Sequence, residues 1–235
     1  MLTTLGLKHI VMKIDFSKCT LLAEQGYSNK NYTFTHKKTT YLLRKFVLKD
    51  PDRELEFHIQ NLAYKQDIAA KPILLEKEYM VCEFLEGSHK KKLERDDIKT
   101  VVSIVKKLHH IKLDKKELNL KALFKTQTKE LKEAFRVIDK YPKELVLCHN
   151  DLNAKNFIFS NKSLKLIDWE FASINDLYFD LASISVEFNL GVIDEAYMLA
   201  NYFLMNGWNK EKIEAYKVLY RALCLEWFEE QSTPP

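Results

Sequence analysis

Residues 146–171 read VLCHNDLNAKNFIFSNKSLKLIDWEF. An apolar run, 145–148, delivers the chain into a polar loop, 149–156, and two short β-forming segments, 157–159 and 164–167, follow around the turn Asn161-Lys162-Ser163. A polar loop carried between strands tends to hold function, not packing. Its polar residues stand in a fixed order: His149, Asn150 and Asp151, then Asn156 five positions after that Asp, then Asp168 where the last apolar segment ends. An amide oxygen and a carboxylate at the mouths of two adjacent strands are hard donors that can hold Mg²⁺ and still leave positions for phosphate and water. A third carboxylate, Asp151, can then receive a hydroxyl proton. Phosphoryl transfer from ATP draws on this inventory, because its transition state needs positioning and charge compensation more than covalent help. Taken singly, Asp151, Asn156 and Asp168 also read as a cap, a turn residue and a loop acid; their joint spacing is what favours chemistry.

On the N-terminal side of this stretch the sequence is β-rich. Tyr32, Phe34 and residues 41–47 supply aromatic and apolar strand formers around a polar tip, 36–40, which is the pattern of a hairpin. Asp50-Pro51-Asp52 stops the second strand, Asp52 is the expected N-cap, and Leu55, Ile59, Leu62 and Ala63 recur at helical spacing to about Gln66. Pro72 precedes two short strands, 73–75 and 79–84, and Glu86-Gly87-Ser88 marks a boundary. Beyond it helices dominate. Asp96 and Asp97 can cap a helix that carries Ile98, Val101, Val102, Val105 and Leu108, residues 120–138 repeat apolar side chains at the same period, and three more helices are expected over 179–188, 194–206 and 210–229. The fold class expected is α+β and bilobal: a small β-rich N-terminal lobe, residues 1–84, and a larger helical lobe, residues 85–235, with the polar loop in the cleft.

Composition excludes several classes. The 235 residues are 46% hydrophobic and 30% charged with five Gly and five Pro, ordinary globular usage that rules out disordered and collagenous chains. No internal repeat is visible, and no stretch approaches about 18 uninterrupted apolar residues, so no membrane insertion is expected. Lys8, His9 and Lys13 interrupt the apolar pattern of the opening MLTTLGLKHIVMKIDF, which has no small-residue cleavage site, so a cytoplasmic location is expected over secretion. The four cysteines, Cys19, Cys82, Cys148 and Cys224, form no CxxC pair and read as reduced core thiols. A net charge of +4, scattered except at Lys90–Lys92, suits small anionic ligands and does not suggest nucleic acid. The Lys run and His109-His110 read as a solvated loop and a helix end.

His149-Asn150-Asp151-Leu152 followed by Asn156, and then Ile167-Asp168-Trp169-Glu170-Phe171, resembles the protein-kinase pattern H-R-D-L-x-x-x-N followed by D-F-G. Asn150 in place of Arg, and Trp-Glu-Phe after Asp168, move the resemblance to the kinase-like small-molecule phosphotransferases. Among these the chain looks most like the choline/ethanolamine kinase family in its short bacterial form; aminoglycoside phosphotransferases usually carry Gly at the position of Asn150. The resemblance covers nearly the whole chain. It implies a protein-kinase-like fold and places Asp151, His149 and Asn150 in the catalytic loop, with His149 more a scaffold than a proton carrier. Asn156 and Asp168 would hold Mg²⁺. The stretch from Glu24 to Tyr32 is similar to the family's phosphate-covering turn, with Gly26, Ser28 and Asn29 at its centre, although only one Gly is present. Leu42 and Arg44 resemble the strand that faces nucleotide, Arg44 replacing the usual Lys, and Glu56 would be its acidic partner. The YMVCEFLEG stretch, residues 79–87, resembles the hinge, whose backbone at Glu83 and Phe84 would meet the adenine edge. Phe171, Glu187 and Trp227 match acceptor-pocket positions, and Asp180 matches a structural Asp that supports the catalytic loop. For Trp208, Tyr197 and Phe228, aromatics in helical segments, core packing is the default.

The expected function is therefore an ATP- and Mg²⁺-dependent kinase for the hydroxyl of a small amino alcohol, choline first and ethanolamine second. A trimethylammonium group offers no N–H donors, so π faces and a carboxylate must replace its water. Thiamine kinase is the nearest rival and an aminoglycoside-type phosphotransferase the third. From a different class comes a catalytically silent nucleotide-binding module, motivated by Arg44 and the Gly-poor turn. Oligomeric state is not legible.

Overall fold

The strand β2 (Asn29–His36) pairs antiparallel with β3 (Thr39–Phe46), from Asn29 opposite Phe46 to His36 opposite Thr39. This tip is tighter than the polar stretch 36–40 suggests. Lys37 and Lys38 alone separate the strands, both at positive φ (47° and 66°), as in the two-residue turn whose twist matches that of the flanking strands. The computed structural model describes residues 14–232 except Glu24, Tyr27, Lys49, Asp50, Lys162 and Met205. Most of the opening apolar stretch, and parts of the expected turns at Asp50-Pro51-Asp52 and Asn161-Lys162-Ser163, therefore lie outside the described residues.

The hairpin belongs to a five-stranded antiparallel sheet, order β1-β2-β3-β5-β4, with β1 (Thr20–Leu21), β4 (Pro72–Leu75) and β5 (Tyr79–Glu83). Between β3 and β4 runs α1 (Arg53–Lys65), whose cap, Asp52, accepts the Leu55 N–H at 3.0 Å. Alternation along β3 sends Leu43 into a small core with Val81, and Arg44, also buried, to the opposite face. The α1 side chains Ile59 and Ala63 join the main core instead. Leu166 N–H donates to the Ile68 carbonyl (2.8 Å), a backbone bond that ties the end of α1 to the polar-loop region.

After Arg95 the chain is mainly helical. The helix α2 (Arg95–His109) opens on a reciprocal capping box between Glu94 and Asp97. One long helix over 120–138 is not what forms. A 3₁₀ turn (Leu120–Leu123) is followed by α3 (Lys129–Ile138), capped by Thr128, whose hydroxyl accepts the Leu131 N–H (3.2 Å). The reason lies between them: the N–H groups of Lys125 and Thr126 donate to the Glu226 carboxylate (3.1 and 3.2 Å), a tertiary contact that holds this segment non-helical. The strands β6 (Leu145–Cys148), β7 (Phe157–Phe159) and β8 (Leu164–Leu166) flank the polar loop as expected, and β7 pairs with β8. A strand that periodicity does not show, β9 (Ser173–Asp176), pairs with β6 where helix was expected to resume. Four residues are too few for a period to register.

Asp176 then caps α4 (Leu177–Glu187), accepting the Tyr178 N–H at 3.1 Å, so this helix starts before Phe179. It is followed by α5 (Val192–Tyr202) and α6 (Lys210–Ser232). The fifth helix ends short of Asn206, with Leu204 at positive φ (51°). Among the described residues no helix is long and apolar enough to cross a membrane.

The segment joining sheet to helices is held against β7 by reciprocal bonds between Ser88 and Phe159, both 2.9 Å. At Gly87 a Cβ would lie 2.5 Å from the Phe159 carbonyl oxygen and 2.6 Å from Ile158 Cγ2, so only Gly permits this approach. Gly87→Ala is expected to lower stability by about 1–3 kcal/mol, the usual range for overpacking, and urea unfolding of the two proteins measures it.

Candidate active site

The polar loop is built around one carboxylate. Asp180, in the first turn of α4 and fully buried, accepts the backbone N–H of His149 (Oδ2, 2.9 Å) and of Asn150 (Oδ1, 2.9 Å), and its Oδ2 also lies 3.1 Å from His109 Nε2. His109 in turn meets the Tyr202 hydroxyl through Nδ1 (2.6 Å). Three donors around one carboxylate satisfy it without solvent. His109 does close a helix, as expected, but it is buried and holds Asp180; helical spacing places it on the same face as Val102 and Val105, while His110 falls off that face and is exposed.

His149 is also fully buried, its Nε2 3.0 Å from the Ile167 carbonyl and its ring 4.8 Å from that of Trp169. A ring so placed orients the backbone on which Asp168 sits. Asn150 takes φ of 64°, a conformation Asn tolerates better than most residues, and Asp168 takes 67°. The Asn150 amide turns away from Asp151: Nδ2 donates to the Phe171 carbonyl (2.9 Å) and Ser173 Oγ (2.7 Å), while Oδ1 accepts from Asn175 Nδ2 (2.8 Å).

Asp151 points into the cleft and accepts Asn153 Nδ2 at 2.9 Å and Asn156 Nδ2 at 2.7 Å. Burial pushes its carboxyl above the ordinary value, and nearby Asp168 acts the same way. Asn156 Nδ2 also donates to the Asp151 carbonyl (2.8 Å), which commits the nitrogen and turns the amide oxygen away. Asp168 gives one oxygen to the Arg44 guanidinium. The donors that remain, an amide oxygen and carboxylate oxygens on neighbouring segments, are the all-oxygen set a hard cation takes, so these residues fit Mg²⁺.

Arg44 is buried between two acids. Nη1 pairs with Glu56 (2.6 Å) and Nη2 with Asp168, so one guanidinium joins β3, α1 and the segment after β8. Glu56, not its neighbour Glu54, is the inward acid, and Arg53 completes the chain by bridging Glu56 (2.6 Å) and Glu170 (3.0 Å) while lying 4.3 Å over the Phe46 ring. Burial, followed by the adjacent Asp168, raises the Glu170 carboxyl, against which the Ser28 hydroxyl and both guanidiniums act. Glu170 thus reaches the expected phosphate-covering turn, a role that its place within the D-W-E-F run does not reveal. In that turn Asn29 is buried, Gly26 has open space where a Cβ would stand, and the Ser28 carbonyl accepts from Val47 N (3.0 Å). At the expected hinge the Glu83 N–H donates to Lys71 O (2.9 Å) and that of Phe84 to Thr40 O (3.4 Å). Leu42 lies half-buried opposite Cys82.

Glu187, expected on the acceptor side, ends α4 beside the polar loop, its Oε2 3.4 Å from the Ala154 N–H and its Oε1 accepting from the Tyr220 hydroxyl (2.9 Å). Burial, with Glu187 and Asp151 among its neighbours, raises the Tyr220 hydroxyl well above its usual value. Tyr220 is the aromatic on α6 that meets the acid. Trp227, seven residues later, lies two turns and roughly 10 Å further along the helix, 36% exposed against Phe228. The spacing of seven on one helix face was the available signal for Tyr220. Phe171 stands half-exposed at the mouth of the site. Trp208, Tyr197 and Phe228, the aromatics given packing roles, divide: Trp208 and Tyr197 pack against the main core, and Phe228 is 58% exposed.

A β-rich lobe and a helical lobe, with two strand-mouth acids and an amide between them, define a kinase-like small-molecule phosphotransferase. The chain belongs to the phosphotransferase enzyme family (APH), which matches residues 20–216. A LicA homologue of Mycoplasma capricolum is 25% identical over 182 residues, 72% of this chain and 75% of that protein. A thiamine kinase of Escherichia coli is 27% identical over 179 residues, 69% of this chain and 64% of that protein. The crystal structure of choline kinase LicA from Streptococcus pneumoniae shares the fold, with a TM-score of 0.76 at 22% identity over 92% of this chain and 87% of that one. The chain is accordingly a phosphotransferase of this family, similar to LicA proteins and to a thiamine kinase. Because Asp180 carries the loop, Asp180→Asn, which keeps one oxygen acceptor but sets the amide NH2 against one of the two backbone N–H groups, is expected to destabilise by about 2–4 kcal/mol, read by denaturant unfolding.

Proposed function

We propose that the chain transfers the γ-phosphoryl group of ATP to the hydroxyl of a small amino alcohol, choline before ethanolamine. The observation that carries the acceptor class is Glu187, fixed by the Tyr220 hydroxyl and the Ala154 N–H beside the loop that bears Asp151. A carboxylate and aromatic faces next to a hydroxyl-directed base suit a cationic alcohol. Ethanolamine, with three N–H donors, would lean on Glu187, and choline more on Tyr220, Phe171 and Trp227.

In this reading residues 1–84 form the nucleotide-binding lobe and residues 85–235 hold the catalytic loop and acceptor pocket. Asp151 takes or orients the hydroxyl proton, His149 and Asn150 hold the loop, and Asn156 and Asp168 bind Mg²⁺, which supplies charge compensation on the phosphates when bound. Arg44 contacts the phosphates with Glu56 fixing it; a guanidinium reaches them as a fork where Lys would be a point charge. Gly26, Ser28 and Asn29 cover the phosphates, Leu42 packs on the base, and Glu83 and Phe84 line its edge. The location is cytoplasmic. Thiamine, another cationic alcohol, is the second reading, favoured by the likeness to the thiamine kinase.

ATP consumption measured over choline, ethanolamine, thiamine and several aminoglycosides decides among these. Turnover is expected with choline or ethanolamine; turnover confined to thiamine or to an aminoglycoside reassigns the acceptor, and none at all leaves a silent nucleotide-binding module. Asp151→Asn is expected to lower kcat at least a hundredfold, the scale of general-base catalysis, with KM within a few-fold. A raised KM at unchanged kcat would make Asp151 a binding residue.

A further inference from the structure

We infer that Asn175 is a positioning residue for phosphoryl transfer, acting through the Asn150 amide to fix the loop that carries Asp151; the inference rests on the function proposed above. Asn150, immediately before Asp151, is held at a φ of 64°. Such a backbone is less favourable than the right-handed one even for Asn, and here the surroundings hold it. They do so on both sides. The backbone N–H is taken by Asp180, and the side chain spends all three of its bonds on one segment, 171–175. Asn175 is the deep end of that clamp: it is 2% exposed, its Nδ2 meets Asn150 Oδ1 at 2.8 Å, and its own Oδ1 accepts the Asp176 N–H at 2.8 Å.

These bonds fix the sense of each amide. Because Asn175 Oδ1 accepts a backbone N–H, its nitrogen must face Asn150, and Asn150 must then offer its oxygen to Asn175 and its nitrogen to Phe171 and Ser173. The clamp has one satisfied arrangement, and that arrangement sets the peptide entering Asp151. It also joins the base to Phe171, on the acceptor side, through the carbonyl of that residue. The strand β9, invisible to periodicity, is what presents Ser173 and Asn175 on this register beside β6. Asn175 thus fixes the amide at position 150, whereas a glycine there would take the same φ with no side chain to hold.

The test pairs a kinetic with a structural readout. Asn175→Ala is expected to lower kcat about five- to tenfold, the scale of one hydrogen bond, with the KM for ATP within twofold and faster amide hydrogen exchange across 149–156. In an Asn150→Gly background, where the clamp is gone and the backbone unstrained, Asn175→Ala should add no further loss of kcat. An equal loss in both backgrounds would make Asn175 merely structural and overturn the proposal, as would unchanged kcat and exchange. If Asn175→Ala gives no cooperative unfolding transition, Ser173→Ala, which removes the acceptor at the other end of the clamp together with the Ser173 bond to the Phe171 carbonyl, carries the same expectation and the same refutation. Should the parent phosphorylate no amino alcohol, the exchange measurement still decides the clamp, because it needs no substrate.

Discussion

The buried carboxylate of Asp180 is the point on which the catalytic loop turns. A charged oxygen pair without solvent is tolerated only when its lone pairs are filled, and here the backbone of His149, the backbone of Asn150 and the His109 ring fill them. The loop between β6 and β7 has little ladder of its own, so its geometry is borrowed from α4. The His109–Tyr202 bond carries the same constraint outward to α2 and α5. Helices that never touch the cleft thereby define where Asp151 stands.

A second constraint runs between the lobes. Arg44 and Arg53 alternate with Glu56, Asp168 and Glu170 in a chain of side chains that are almost wholly buried, Asp168 apart. Such pairs add little net stability once desolvation is counted, but removing one partner leaves an uncompensated charge, so the set behaves as a unit. Its value is geometric. It aligns β3 and α1 with the segment after β8, which is where phosphate and metal would have to meet. In the proposed reaction Asp168, with Asn156, would hold Mg²⁺, which would supply charge compensation, and Arg44, fixed by Glu56, would meet phosphate.

The helical lobe contributes rigidity and, in the proposed reading, the acceptor wall. Lys212, buried on α6, pairs with Asp176 (2.7 Å) and donates to the Pro142 carbonyl (2.9 Å), which pins α6 to the end of β9 and the approach to β6. The same helix delivers Tyr220 to Glu187 and Glu226 to the backbone before α3. One element thus shapes the pocket and breaks the helix that periodicity alone predicts over 120–138.

The sequence by itself determined the order of the lobes, the hairpin, α1, α2 and α6, and the place of the polar loop between its strands, because these rest on local signals: alternation, helical spacing, caps, and polar residues at fixed separations along one short stretch. Asp151, Asn156 and Asp168 are legible for that reason. Tertiary structure alone decided that Asn150 turns its amide from the cleft to a clamp, that Glu170 and Arg53 extend the ion-pair chain, that His109 meets Asp180, and that Tyr220 rather than Trp227 meets Glu187. It also decided the strand Ser173–Asp176 and the gap between Leu123 and Lys129. Each of these depends on a partner 21 or more residues away, as with Asn150 and Phe171. A local pattern specifies which hydrogen bonds a residue is able to make, whereas the partner that satisfies them is fixed only when distant segments are packed together.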